Sequence, residues 1–374
     1  MSAAMREVLT AELIERLRGA GLDPQEVTRI VSAALDEDLA GRTDVTTDAT
    51  IPAGAETTAR LAARADGVAA GLPVAETVFR VASARRDPPG GGASSADDGA
   101  AQPFGIGAGP GGRPPGIPPQ QGLPHPRQPF GIIYHVCDGD RVRRGDTLLT
   151  VTGNTRALLV AERTALNLAC HLSGIATLTR RWVDEVAGTG ATVRDTRKTL
   201  PGLRGLQKYA VRCGGGVNHR MSLSDAVLVK DNHIASAGGV AAAFAAVSSA
   251  AVSSTDLPIE IECDTLAQVK EAVEAGATLI LLDNFSVRDT AEAVTLAAGR
   301  ARLEASGGLT LAGARAVAAA GVDYLAVGAL THSAPALDLG LDIGGADATE
   351  GSAVPAGRRS IHPGRPLAPG AAGQ

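Results

Sequence analysis

Short apolar runs, each followed by a helix-forming stretch, return along the second half of this chain and constrain its fold more than any other feature. The runs are AVLVK at 226–230, IEIEC at 259–263, LILLD at 279–283, RLEAS at 302–306 and YLAVG at 324–328, with Ala-rich segments such as TLAQVKEAVEAGA between them. A strand and a helix alternating at intervals of roughly 20 to 25 residues predict βα units around a parallel barrel or sheet. TVRDT precedes these five, so six strands are visible, and an incomplete barrel stands beside a full eightfold one.

The first half reads differently. Residues 1–40 look helical, and LDPQEV places a helix start at Asp23 with Pro24 in the first helical position. TARLAARADGVAAG then alternates and breaks at glycines like short strands, and LPVAETVFRVA reads as a helix. The stretch 86–129 and the tail from 345 to 374 are rich in Gly, Pro, Ser and Gln. Such segments cannot bury enough apolar surface to offset their ordering entropy, so both are expected to be disordered. After the insertion, IIYHVCDGDRVRRGDTLLTVTG carries Asp-Gly and Gly-Asp turns between β-rich runs, the mark of compact hairpins. A biotinyl or lipoyl carrier would look similar here, but it needs a lysine at a hairpin tip, and there is no lysine before residue 198. A long helix is expected from residue 162, in ERTALNLACHLSGIATLTRRWVDEVAG.

With 374 residues, 44% of them hydrophobic, the chain is long enough for two domains. A formal net charge of -5 argues against a sequence-independent nucleic-acid binder, so any anion site must be local. The four cysteines are scattered and predict neither a disulfide framework nor a zinc site; they read as buried small hydrophobes. The N-terminus lacks the apolar run of a signal peptide or membrane span, and a reducing cytoplasm is expected. Of 35 lysines and arginines only Lys198, Lys208, Lys230 and Lys270 are lysines, and three of them fall between 198 and 230. An arginine-biased chain that uses lysine there points to a need for compact ammonium groups.

In βα architectures reactive groups gather at the C-terminal ends of the strands. Here those ends carry Asp195, Arg197 and Lys198, then Lys230, Glu262, Asp283, Ser306 with Gly307 and Gly308, and Gly328. The cations suit carboxylate and phosphate. Glu262 and Asp283 suit a divalent metal carried in on a phosphorylated substrate, or a positive charge developing on a sugar. The glycine turns let backbone N–H groups approach a phosphate. Taken singly, each has a plain structural reading: His219 as a hydrogen-bonded structural histidine, Glu260 or Glu262 as a solvated sheet-face residue. The ordered co-occurrence is harder to explain that way.

At this point AERTALNLACHLSGIAT, DTRKTLPGLRGLQKYAVRCGGGVNHRMSLSDAVLVKDNHI, IEIECDTL, LILLDNF, LEASGG and VGALTHSAPALDLGL resemble the quinolinate phosphoribosyltransferases, over roughly 1–82 and 130–343. The segment 86–129 departs from the family pattern. The resemblance implies an N-terminal α/β sandwich domain within 1–160, a C-terminal open α/β barrel within 161–344, and a homodimer that exchanges site residues. It implies quinolinate and phosphoribosyl pyrophosphate as substrates, Mg²⁺ as cofactor and no organic cofactor. By position, Arg163 resembles the arginine supplied across the dimer, and Arg197, His219, Arg220 and Lys230 the quinolinate set. Lys198 resembles the lysine on the phosphoribosyl pyrophosphate side, and Glu262 and Asp283 the acidic pair facing ribose and metal. Ser306, Gly307, Gly308, Gly328 and His332 resemble the 5'-phosphate site. The catalytic expectation falls on Lys198, Lys230, Glu262 and Asp283. A relative that ribosylates nicotinate without decarboxylation is the enzyme alternative, and a sensor that has lost turnover is the other.

Overall fold

The computed structural model describes residues 8–86, 130–252 and 257–344, and among these three helices precede the first strand from residue 11 onward. They are α1 (Ala11–Gly19), α2 (Pro24–Leu39) and α3 (Val45–Thr50). Helix α2 starts where its sequence predicts: the Asp23 carboxylate accepts the Gln25 N–H at 2.9 Å, and Pro24 sits where a missing N–H costs nothing. Strands β1 (Glu56–Ala63) and β2 (Gly67–Val68) lead into α4 (Leu72–Arg86). The Gly/Pro-rich segment after α4 and the tail beyond 344, both expected to be disordered, lie outside the described residues.

Strands β3 (Gly131–Tyr134), β4 (Arg141–Val142) and β5 (Thr147–Asn154) follow. β5 pairs antiparallel with both β1 and β3, and β4 pairs with β2, so the turn-rich segment forms antiparallel strands but not the expected compact hairpins: its one internal pairing joins β3 to β5 across β4. Helix α5 then runs unbroken over Thr155–Glu185, 31 residues. It begins seven residues before the predicted start at 162, because the Asn154 side chain caps it by accepting the Ala157 N–H at 3.1 Å.

The repeating half is as its periodicity predicts. In order come β6 (Thr192–Arg194), α6 (Arg204–Cys213), β7 (Val227–Val229), α7 (Asp231–Ala237), α8 (Val240–Val252) and β8 (Ile259–Cys263). They are followed by α9 (Leu266–Glu274), β9 (Leu279–Asp283), α10 (Val287–Ala297), β10 (Arg302–Ser306), α11 (Leu311–Ala319), β11 (Tyr324–Ala326) and α12 (Ala329–His332). The six strands form one parallel sheet in the order β6-β11-β10-β9-β8-β7. β6 and β7 are its two edges and do not pair with each other, so the barrel is open. Side-chain caps start the outer helices: Thr265 and Gln268 form a capping box on α9, and Ser286 and Thr310 cap α10 and α11.

A last strand, β12 (Leu339–Ile343), leaves the barrel and pairs antiparallel with β1, placing Ile343 opposite Ala59. The N-terminal sheet therefore reads β12-β1-β5-β3. The cysteines are free, but only Cys263 is a buried small hydrophobe; Cys137 is exposed, and Cys170 and Cys213 are half-buried. No helix among the described residues is long and apolar enough to cross a membrane.

Candidate active site

The parallel register brings the strand ends together. Asp283 lies opposite Ser306 across β9 and β10, and Cys263, next to Glu262, lies opposite Leu282. Lys230 directly follows β7, and its ammonium reaches the Glu262 carboxylate at 2.7 Å, with the lysine side chain 47% exposed and the glutamate 11%. The Lys230 N–H donates to His233 Nδ1 at 2.9 Å, which fixes the turn into α7. Asp283 accepts the Asn284 side-chain amide at 2.7 Å, and the Asn284 N–H donates to the Ser306 carbonyl at 2.9 Å. Asn284 itself sits at φ 58°, and the facing Gly307 at φ 80°. A Cβ on Gly307 would collide with the Asn284 side chain and lie 2.9 Å from its backbone N, so only glycine fits. Asn284 lies within LILLDNF, where sequence reasoning gives it no role; its signal is a polar residue that tolerates positive φ, placed at a strand end.

A second group gathers around the turn after β11. The Lys198 carbonyl accepts the Thr331 hydroxyl at 2.7 Å. A Cβ on Gly328 would lie 3.1 Å from Lys198 Cδ and 3.2 Å from His332 Nε2, so the lysine stem crosses the glycine beside the histidine. Gln207, fully buried, braces this corner: its amide donates to the Thr331 carbonyl and its carbonyl oxygen accepts the Leu200 N–H, both at 2.9 Å. Gly307 and Gly308 leave β10 with positive φ, and β10 pairs with β11, so both glycine turns open on the same rim.

Lys208 is not part of that rim. Its ammonium meets Asp195 at 2.5 Å with both side chains fully buried, and it donates to the carbonyls of His219 and Arg220 at 2.8 and 3.0 Å. Burial pushes its pKa down and Asp195 opposes this. The other Asp195 oxygen accepts the Asn218 amide at 2.5 Å, and Oδ1 also takes the His219 N–H at 2.9 Å. The reading of three clustered lysines as functional ammonium groups is thus corrected for Lys208, which is a girder under the 218–220 turn.

That turn delivers Arg220 and His219. Burial lowers the Arg220 pKa, and the neighbouring Arg197 guanidinium lowers it further, so two cations converge. The Arg197 Nε–H is buried with no hydrogen-bond partner among the described residues. The His219 ring points inward: Nδ1 accepts the Arg220 N–H at 2.7 Å, while Nε2 lies 2.9 Å from Glu260 and 3.5 Å from Glu304. Arg194 pairs with the other Glu304 oxygen and stacks on the Tyr324 ring at 4.2 Å. Burial, and then the charge of Glu260, push Glu304 up to about 7, against the pull of Arg194 and His219. Glu260 is buried, not a solvated sheet-face residue.

The structure therefore assembles Arg197, Arg220, Lys230, Glu262, Asp283, Ser306, Gly307, Gly308, Lys198, Gly328 and His332 on the strand ends and adjoining turns of one sheet, with His219 beneath. Arg163 is not among them. It is exposed on α5, on the stretch that also carries Cys170, whose pKa burial and the Asp338 charge push up against the pull of Arg163. Among the described residues the group of three donors close enough for a metal ion is His219, Glu260 and Glu304.

Two family models match the chain: "Quinolinate phosphoribosyl transferase, C-terminal domain" over residues 175–342 and its N-terminal domain over 128–173. A nicotinate-nucleotide pyrophosphorylase [carboxylating] of Mycobacterium leprae is 46% identical over 316 residues, 84% of this chain and 95% of that protein. A mitochondrial quinolinate phosphoribosyltransferase [decarboxylating] of Nicotiana tabacum is 36% identical over 84% of this chain and 81% of its own length. The crystal structure of NadC from Streptococcus pyogenes superposes with a TM-score of 0.70 at 35% identity, over 87% of this chain and 97% of that one.

Proposed function

Because this chain belongs to the quinolinate phosphoribosyltransferase family, we propose that its strand-end site joins quinolinate to phosphoribosyl pyrophosphate, giving nicotinate mononucleotide, pyrophosphate and carbon dioxide. The observation that carries the reading is the convergence of Arg197 and Arg220, with a buried Arg197 N–H unpartnered, beside the Lys230–Glu262 pair. Two guanidiniums disfavour each other unless an anion lies between them, and a pyridine dicarboxylate supplies two negative charges in a fixed geometry.

The residues divide the work by position. Arg197, Arg220 and Lys230 take the carboxylates and aim the ring nitrogen at C1'. Lys198 crosses Gly328 towards His332, suited to the pyrophosphate oxygens, and the turns at Ser306–Gly307–Gly308 and Gly328 offer backbone N–H groups to the 5'-phosphate. As the C1'–O bond breaks, its electron pair leaves with pyrophosphate and C1' becomes cationic. Glu262 and Asp283, on adjacent strands, stabilise that charge until the quinolinate nitrogen forms the new bond. The resulting pyridinium accepts the electron pair released when the 2-carboxylate leaves as carbon dioxide, and a proton then takes its place on the ring carbon. No organic cofactor is needed.

The donor set fits Mg²⁺ brought in on the substrate, since that ion is commonly held through one or two carboxylates together with phosphate oxygens, here Glu262 and Asp283. When bound it neutralises pyrophosphate charge. We further read the enzyme as cytoplasmic and as a homodimer in which each Arg163 serves the other subunit's pocket, which its exposure on α5 permits. Mixing Arg163→Ala and Lys230→Met proteins, each impaired alone, should restore about a quarter of wild-type activity through one intact site per heterodimer; a mixture as inactive as its parents removes the shared site.

The activity itself is tested by incubating purified protein with quinolinate, phosphoribosyl pyrophosphate and Mg²⁺ while following nucleotide and carbon dioxide together, with nicotinate as the control substrate. One carbon dioxide per nucleotide from quinolinate is the expected result. Turnover of nicotinate alone would move the protein to the non-decarboxylating alternative, and silence with both would make it a sensor.

A further inference from the structure

Two loops carry the guanidiniums that converge on the dicarboxylate pocket: Arg197 lies on the loop after β6, and Arg220 on the loop before β7. Between them, at the start of α6, stands Arg204, which no reaction step above uses. Resting on the quinolinate reading above, we propose that Arg204 is a positioning residue of the dicarboxylate site, a clasp that sets the spacing of Arg197 and Arg220 by gripping both loops.

The contacts carry this link by link. Arg204 Nε donates to the Thr199 hydroxyl at 3.0 Å, and Arg204 Nη1 donates to the Met221 carbonyl at 2.9 Å. Each acceptor is tied directly to one of the two arginines. The Thr199 N–H donates to the Arg197 carbonyl at 2.9 Å, and Met221 is the residue that follows Arg220. A planar guanidinium holds its two donors at a fixed angle, which a single ammonium on a flexible stem cannot do.

The two loops are held unequally. The first has anchors of its own: the Lys198 carbonyl takes the Thr331 hydroxyl at 2.7 Å, and the Leu200 N–H donates to Gln207 at 2.9 Å. It is the fixed jaw. The second projects Met221 and Leu223 into solvent, 40% and 72% exposed, so burial does not hold it. Polar contacts do. The Asp225 carboxylate accepts the N–H groups of Met221 and Ser222 at 2.6 and 2.8 Å, and the Arg220 guanidinium donates to the Ala226 carbonyl at 3.0 Å. Lys208, one turn along α6 from Arg204, takes the carbonyls of His219 and Arg220. One helix thus grips three successive carbonyls, those of residues 219, 220 and 221, and losing Arg204 releases the last and lets Arg220 drift from Arg197.

Helix α6 gains nothing from a cation at this position. The N-terminal end of a helix disfavours positive charge, and Arg204 and Lys208 are like charges four residues apart. Burial, and after it the Arg204 charge, lower the Lys208 pKa against the pull of Asp195. The fork across the two loops accounts for a charge that its own helix opposes.

The test separates the fork from the charge. Arg204→Lys keeps the charge and loses the paired donors. It should raise the KM for quinolinate about tenfold, leave the KM for phosphoribosyl pyrophosphate within about twofold, and leave the thermal midpoint unchanged. Thr199→Val removes the hydroxyl at the fixed jaw and should raise the quinolinate KM about threefold, and the double variant should be no worse than Arg204→Lys alone. A Lys variant with the wild-type quinolinate KM, equal rises for both substrates, an additive pair, or a lowered midpoint with both KM values unchanged would overturn the clasp. If Arg204→Lys does not fold, Thr199→Val decides: a rise for quinolinate alone supports the clasp, and wild-type constants overturn it. A wild type silent with quinolinate sinks the activity reading and the clasp together, whereas an active wild type matched by Arg204→Lys sinks the clasp alone.

Discussion

Of the lysine–carboxylate pairs in the second half of this molecule, one lies at the strand-end rim and one beneath it. Lys208–Asp195 measures 2.5 Å with both side chains fully buried, and Lys230–Glu262 measures 2.7 Å with the lysine half exposed. The residue types and distances are nearly alike, yet the first has every partner supplied by the chain and the second keeps donors free for something arriving from solvent. Burial and satisfaction, not charge, separate a girder from a grip.

The comparison can be broken most forcefully at Lys208. Lys208→Met leaves Asp195 as an uncompensated buried charge and should cost about 3–5 kcal/mol, read as a large drop in the urea or thermal midpoint. Lys230→Met, by contrast, should change stability by less than about 1 kcal/mol while lowering kcat/KM for quinolinate at least about a hundredfold; comparable midpoint losses for the two would erase the distinction. On the same exposed pair, Glu262→Gln should lower kcat well above tenfold, on the order of 2 kcal/mol or more, and an unaltered kcat would remove Glu262 from charge stabilisation. Next in size, Gly307→Ala forces a side chain against Asn284 at φ 80° and should raise the KM for phosphoribosyl pyrophosphate about tenfold, with little change for quinolinate.

The smallest effect is a pH dependence beneath the rim. Glu304, held at about 7 by burial and by Glu260, binds its proton more tightly folded than unfolded, where 4.5 is its ordinary value. Between those values the native state carries more protons, so this group's contribution to stability falls as pH rises from about 4.5 to about 7 and is level above. Glu304→Gln should flatten that part of a stability–pH curve; an unchanged slope would show that the carboxylate titrates normally.

Much of this was legible in sequence because parallel strands are apolar runs bounded by turns, and all six appear where the runs predict. The strand-end polar residues were legible for the same reason, since chain order places them on one rim. What was not legible depends on which way a side chain faces. Glu260 and Glu262 are both acidic and two residues apart on one short strand, and nothing local says that one meets a histidine in the interior while the other meets a lysine at the mouth. Lys208 shares a compositional cluster with Lys198 and Lys230, and only its place on α6, turned towards Asp195, reveals a different role. Strand β12 escaped notice because its partner, β1, lies more than 270 residues away in sequence.

That partnership makes the N-terminal sheet a host and the barrel a guest. The chain departs from β5 at Asn154, opposite Glu56, and returns as β12 at Leu339, opposite Ala63, so the guest's entrance and exit are pinned at opposite ends of β1, roughly 25 Å apart. Pairing β12 with β1 closes a loop of more than 270 residues, and the entropy of that closure weighs against its forming early. Final closure of that sheet should therefore come late in folding, and loosening β12 should free the far end of the guest before any barrel strand is lost.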